Sequence, residues 1–335
     1  MGKSFDVYGL GNALVDMEFE VSPEFLNQME IKKGLMTLVD GERQEVILKE
    51  LDLAKAKRCC GGSAANTIIG VSQFGGKSFY SFRVANDEAG LFYYNNLLDS
   101  GVKTSVKSED RPEGVTGKCL VFVTPDADRT MNTFLGITTD FSKDDLDKEA
   151  ILQSKWVYIE GYLVSSEKGK EAAVETKRYA EKNNVKVALT FSDPFMVSTF
   201  KQGFLDIMGK GVDLLFCNEH EALSFTGEDT VEKAAEKMKE YTQSMAITLG
   251  EKGALIYDDE ASEFFRVEAP RVKAVDSNGA GDLFAGTFLY GINNGLSFKQ
   301  SGELACKAAS QLVTQFGARL QNEQPKVILK EYLSK

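Results

Sequence analysis

Asp276-Ser277-Asn278-Gly279-Ala280-Gly281-Asp282 leads into Leu283-Phe284-Ala285-Gly286 and an amphipathic run to Ile292. Small residues at a helix start let backbone N–H groups approach an anion closely. The unpaired N–H groups and the helix dipole then hold its charge. Asp282 at that terminus points at whatever the N–H groups bind. An acid beside an anion hole suits phosphoryl transfer, where one group takes the proton of the attacking hydroxyl and others hold the migrating phosphoryl. The same position should depress the carboxylate's pKa, which is tolerable if the proton leaves late in a loose transition state. The alternative is a helix N-cap after a glycine turn, with Asp282 only capping.

The elements that position this stretch form a strand–helix rhythm. Phe5 to Leu10 reads as a buried strand ending at Gly9-Leu10-Gly11-Asn12, and the third glycine of a dinucleotide fingerprint is missing because position 14 is Leu. Leu14 to Val21 alternates as a half-exposed strand does, so Asp16 is either a solvent-face residue or a ligand for substrate hydroxyls. Lys33 to Val39 pairs nearby, and Gly41 to Leu51 reads as a helix. Cys60-Gly61-Gly62-Ser63-Ala64-Ala65-Asn66 opens a helix over Thr67 to Phe74, its paired glycines permitting close backbone approach. A strand over Phe79 to Val84 and a helix over Glu88 to Ser100 follow.

Thr116 to Val123 and Arg129 to Leu135 flank the turn Thr124 to Asp128 and read as a hairpin. With the strand around Asp16 they predict a small separate sheet, placed to close on substrate. Arg129 is a surface cation or a phosphate contact. From Trp156 the alternation resumes: strands at 157–160, 186–191, 212–217 and 244–249, helices at 167–183, 230–242 and from Asn218. Gly253 to Tyr257 with Phe264 to Val267 is a hairpin, Val272 to Val275 is strand-like, and helices cover 299–316 and 326–333. This predicts a doubly wound, mostly parallel α/β sheet with helices on both faces. Ligands in such folds bind at the carboxyl ends of strands. Asp16, Gly61-Gly62, Asn218 to Glu221, Thr248 to Gly253 and Asp276 to Asp282 all fall near such ends.

The 335 residues can bury a large core, and the net charge of -11 argues against nucleic acid or an anionic membrane as partner. Backbone N–H groups and Mg²⁺ can still supply a phosphate site. No apolar run approaches a membrane span and no signal-peptide pattern is present. The five cysteines form no CxxC pair, which fits reduced thiols in the cytoplasm. His220 is the single histidine, which excludes a histidine-rich metal site.

Assembled, these motifs resemble the ribokinase-like (PfkB) carbohydrate and nucleoside kinase family over nearly the whole chain. Gly61 to Asn66 is similar to its first glycine signature, Asp276 to Asp282 to its second, and Asn218-Glu219-His220-Glu221 to its N-x-x-E motif. The resemblance implies one ribokinase-like domain over residues 1–335, with a β lid formed by about 13–40 and 112–137. It implies Asp282 as general base, with Gly279, Ala280 and Gly281 as the anion hole. Substrate would be held by Asn12, Asp16, Gly61, Gly62 and Asn66. ATP would border Thr248, Gly250, Gly253, Asn278 and Gly317. Mg²⁺ would be ordered through water by Asn218 and Glu221, and a monovalent cation such as K⁺ would lie at Asp276.

Asn278 and the opening Gly11 to Asp16 resemble the adenosine kinase branch, which makes adenosine the leading acceptor. A sugar (ribose, fructose or 2-keto-3-deoxygluconate) is the alternative. Phe19, Phe122 and Phe134 are candidate purine contacts or simply lid core. The partner expected is a small nucleoside or sugar, on a monomer or homodimer. A non-catalytic binding regulator on the same fold would not need the base. A nicotinamide dehydrogenase is disfavoured by Leu14, and no P-loop is present: Gly76-Lys77-Ser78 has Val71 where its first glycine belongs.

Overall fold

The computed structural model describes residues 2–34, 36–125 and 129–334, leaving aside the side chain of Arg129. Its strands, in chain order, are β1 (Phe5–Leu10), β2 (Leu14–Glu20), β3 (Met36–Leu38), β4 (Lys57–Gly61), β5 (Ser78–Ser81), β6 (Thr116–Val123), β7 (Arg129–Gly136), β8 (Ser154–Ile159), β9 (Lys186–Thr190), β10 (Val212–Asn218), β11 (Thr242–Thr248), β12 (Ala254–Asp258) and β13 (Glu263–Val267). One sheet runs β13-β12-β11-β10-β9-β8-β1-β5, and a second runs β3-β7-β6-β2-β4. In the large sheet every pair from β5 to β11 is parallel, and β12 and β13 add an antiparallel edge.

The parallel strands read as continuous apolar runs because helices cover both faces. On β1, Val7 joins a core with Ile68, Phe284 and Phe288, whereas its neighbour Tyr8 joins a second core with Ile159, Leu163 and Ala172. The first core lies under the Ser63–Gln73 and Ala280–Asn293 helices, the second under the Glu167–Lys182 and Glu219–Thr226 helices. Gly286 lets the first two helices touch, since a Cβ there would strike the Thr67 carbonyl. That approach sets Asp282 beside Ser63 and Asn66.

The small sheet is the one expected around Asp16, with an addition. Lys57–Gly61 is a strand paired antiparallel with β2, so this sheet also contains the first glycine signature's leading residue. The KRCCG stretch carries no alternation that would mark it. Val15, Met17 and Phe19 on β2 point to the covered face, while Leu14, Asp16 and Glu18 point the other way. The covered face packs on the Pro23–Gln28 and Gly41–Lys49 helices. Phe122 contacts Phe19 and Phe25 there, and Phe134 lies against Gly41. All three candidate purine-stacking phenylalanines thus belong to the packed face of the small sheet.

Val272 to Val275 is not a strand. Residues 268–279 form an irregular segment, tied to the body where the Val275 N–H donates to the Val313 carbonyl at 2.7 Å. Asp276 to Asp282 therefore does not follow a strand directly. Asp16 likewise lies within β2 and not after its end. The helix expected over 230–242 is Val231–Met238, because Thr242 already begins β11. The one over 299–316 is Phe298–Leu312, opened by a Ser297/Gln300 capping box. The turn at 124–128 falls partly on residues 126–128, outside the described residues.

Candidate active site

A cavity of about 460 Å³ opens between the two sheets at the carboxyl end of the large one. It gathers Asn12, Asp16, Gly62, Asn66, Asn218, Glu221, Thr248, Asn278, Gly279, Gly281 and Asp282 from five separate segments. Gly61, Ala280, Gly250, Gly253, Gly317 and Asp276 are not in its lining. Arg129 begins β7, and its side chain lies outside the described residues.

Gly279 sits in the left-handed region (φ 71°) and caps the Ala280–Asn293 helix. A Cβ there would press on Ala318. The Ala280 N–H is turned back to the Ser277 carbonyl at 3.2 Å, so it is occupied and not part of an open anion hole. The open donors at this terminus are the amides of Gly281 and Asp282, which have no intrahelical carbonyl to meet. A Cβ on Gly281 would meet nothing in the protein. Glycine at that position leaves open space beside the helix terminus.

Asp282 accepts from Ser63 Oγ (2.7 Å) and Asn66 Nδ2 (3.1 Å). These bonds favour its charged form, as does the nearby Arg319, but desolvation outweighs them and raises the carboxyl to about 6. The depression expected from the helix terminus does not prevail. The result is a carboxylate more basic than an exposed one, yet largely ionised at neutral pH.

Asn218 and Glu221 hold each other in a capping box. Asn218 Oδ1 accepts the Glu221 N–H at 2.9 Å, and Glu221 Oε2 accepts the Asn218 N–H at 2.9 Å. Glu221 is no solvated helix acid: it is buried, and desolvation raises its carboxyl to about 7. Asp276 is also buried, and its two oxygens accept the N–H groups of Asn278 (3.0 Å) and Gly317 (2.8 Å). It thereby locks the second signature to the loop after the Phe298–Leu312 helix. Gly253 is required by its strand turn, since a Cβ would strike the Val267 carbonyl, whereas Gly250 and Gly317 face open space.

Gly61 and Gly62 serve different ends. On β4, Gly61 leaves room for the Asp16 side chain across the strand pair, and Gly62 (φ 103°) passes against the Asn12 carbonyl. Asn12 donates through both its backbone N–H (3.1 Å) and Nδ2 (2.9 Å) to Glu160 Oε1. Sequence reasoning assigned no role to Glu160. Its only signal was an acidic residue closing the apolar run Trp156 to Ile159. The carboxyl is fully buried and pushed up to about 7 by desolvation. Thr138, Ser192 and Arg319 were also missed. Ser192, at φ 68°, accepts the Gly161 N–H at 3.0 Å.

The cavity has two unlike ends. Met36, Leu38, Val121, Met131 and Leu135 make an apolar wall on the small sheet, opposite the polar floor of Asn12, Asp16, Asn66 and Asp282. Among the described residues no three acidic, cysteine or histidine side chains cluster as a ready metal cage. The lining nevertheless brings together the oxygen donors of Asp193, Asn218 and Glu221. This donor set fits a hard divalent cation that keeps waters and binds together with phosphates, not one caged by protein alone.

Residues 48–325 match the profile of the pfkB family carbohydrate kinases, and the chain belongs to that family. It is 27% identical over 336 residues to the adenosine kinase of Saccharomyces cerevisiae, covering 94% of this chain and 96% of that one. The solved structure of a probable sugar kinase from Rhizobium etli superposes with TM-score 0.89 at 35% identity, covering 99% of both chains. Adenosine kinase from Sinorhizobium meliloti superposes with TM-score 0.88 at 33% identity, covering 98% of this chain and 99% of that one. The fold is ribokinase-like, and the protein is a phosphotransferase that acts on a hydroxyl acceptor, a nucleoside or sugar kinase. No helix among the described residues is long and apolar enough to cross a membrane.

Proposed function

We propose that the chain transfers the γ-phosphoryl of ATP to the primary hydroxyl of a nucleoside, adenosine first among them, giving AMP. One observation carries the choice: the cavity pairs a polar floor with an apolar wall. A free sugar presents hydroxyls on every side and would leave that wall unused. A nucleoside places its ribose on Asn12, Asp16 and Asn66 and its base on the apolar face. The sugar alternative keeps the likeness to the Rhizobium etli protein in its favour.

In this reading Asp282 takes the hydroxyl proton as the oxygen attacks phosphorus, and the bond to the β-phosphate oxygen breaks. The amides of Gly281 and Asp282 face the charge on the transferring group. Asn218 and Glu221 would hold Mg²⁺, which when bound would neutralise charge on the phosphates. The nucleotide lies along Thr248, Gly250 and Gly317, with Asn278 at its phosphates. Asp276 is the place for a monovalent cation, and the small sheet serves as a lid.

The deciding experiment is Mg-ATP turnover against adenosine, inosine, guanosine, ribose, fructose and 2-keto-3-deoxygluconate. Preference for adenosine supports the reading, and preference for a sugar moves the substrate while keeping the mechanism. Binding of a nucleoside or sugar without turnover of any would favour a regulator on this fold.

A further inference from the structure

Arg319 lies in the loop after the Phe298–Leu312 helix, outside every motif of the chain. Its guanidinium reaches three other elements. Nε and Nη2 both donate to Asn66 Oδ1 (3.2 and 3.3 Å), Nη2 also to Cys60 Sγ (3.2 Å), and Nη1 to Asn96 Oδ1 (3.4 Å). Every one of these acceptors is neutral. No described carboxylate forms an ion pair with it. A part-buried cation without a carboxylate partner is costly, and neutral side chains could brace a loop more cheaply.

The charge has one evident beneficiary. Two guanidinium donors on the Asn66 oxygen fix which way that amide faces, leaving its Nδ2 to donate to Asp282 Oδ2 at 3.1 Å. Without Arg319 the amide could turn and present its oxygen to the carboxylate.

Building on the kinase reading above, we infer that Arg319 is a positioning residue for Asp282. It aims the carboxylate through Asn66 and, by its charge, holds it as the unprotonated acceptor. Because Cys60 belongs to β4, the same contact ties the small sheet to the base. The other groups facing Asp282 are Ser63 and Asn66 from the Ser63–Gln73 helix, Tyr158 from β8, Glu160 and Tyr162 after it, and Glu221. Asp282 raises the acids among them, and Arg319 is the cation that favours the charged form of Asp282.

The test reads the carboxyl directly. Isotope-edited infrared difference spectra, with Asp282→Asn identifying the band, give its protonation midpoint in the full-length protein without any substrate. In Arg319→Gln the midpoint should rise by roughly one pH unit, about a tenfold change in protonation equilibrium, while Arg319→Lys keeps most of the wild-type value. Asn66→Ser, which removes the relay but leaves the cation, should raise it by less. A midpoint unmoved in folded Arg319→Gln overturns the inference. Should that variant fail to fold, Arg319→Met is read in its place, an unmoved midpoint overturning the inference and a raised one supporting it. If wild type phosphorylates nothing, the kinase reading fails, yet the midpoints still decide the role of Arg319.

Discussion

Glu160 Oε2 accepts the backbone N–H of Ala64 at 2.8 Å, joining the end of a central strand to the first turn of the helix that carries Ser63 and Asn66. With Oε1 on Asn12, this one buried carboxyl fixes three segments of the cavity floor.

The arrangement has a pH signature. Glu160, Glu221 and Asp282 are raised to about 7, 7 and 6, above their ordinary values of 4.5, 4.5 and 3.8. The unfolded chain therefore loses these protons first as pH rises. Stability from these groups is fully present below pH 4 and declines as pH climbs through the window to 7. Thermal melts should show this decline in the ligand-free protein, and Glu160→Gln should flatten it. A steeper decline in that variant would refute the assignment.

Asp282→Asn should lower kcat by roughly 10²–10⁴ while acceptor binding persists, as expected for loss of a general base. Wild-type kcat should rise with pH through an acid limb near 6, because the base works unprotonated. Steady-state kinetics across pH, with calorimetry for binding, check both.

Gly279 and Gly281 should separate stability from activity. Gly281→Ala meets no protein atom and sits in a helix's first turn, so the melting temperature should hold or rise slightly. Turnover should fall by roughly 10², the scale of one lost oxyanion donor. Gly279→Ala must keep φ near 71° against Ala318 and should cost at least about 1–2 kcal/mol in denaturant unfolding.

Glu221→Gln keeps a side chain able to reach back to the Asn218 N–H, so the fold should be retained. The Mg²⁺ concentration needed for half-maximal rate should rise roughly 10–100-fold, the usual scale for groups that support a metal. An unchanged Mg²⁺ titration would remove Glu221 from the metal's surroundings.

If the small sheet is a lid, acceptor binding should slow hydrogen exchange in β6 and β7. Met36 and Leu38, 40% and 54% exposed, should become covered as the apolar wall closes. Leu38→Glu should then raise KM for a nucleoside more than it changes kcat. Protection of 114–136 that does not respond to acceptor would count against closure.

The sequence by itself determined the strand–helix order, the doubly wound class and the two glycine signatures. These depend on local periodicity and on backbone geometry that only small residues permit. Asp282 stood out because the small residues before it announce a helix terminus, whereas Asn218 and Glu221 were singled out only through the family resemblance. Tertiary structure decided what those residues experience. Desolvation, which no local pattern records, lifts Asp282 instead of depressing it. β4 was hidden because its side chains do not alternate, and it became visible only through pairing with β2. The phenylalanines of the small sheet were assigned a side only once that sheet had a covered face. Arg319 and Glu160 were illegible for the same reason: their partners lie at least 96 residues away, so only the folded chain gives them a role.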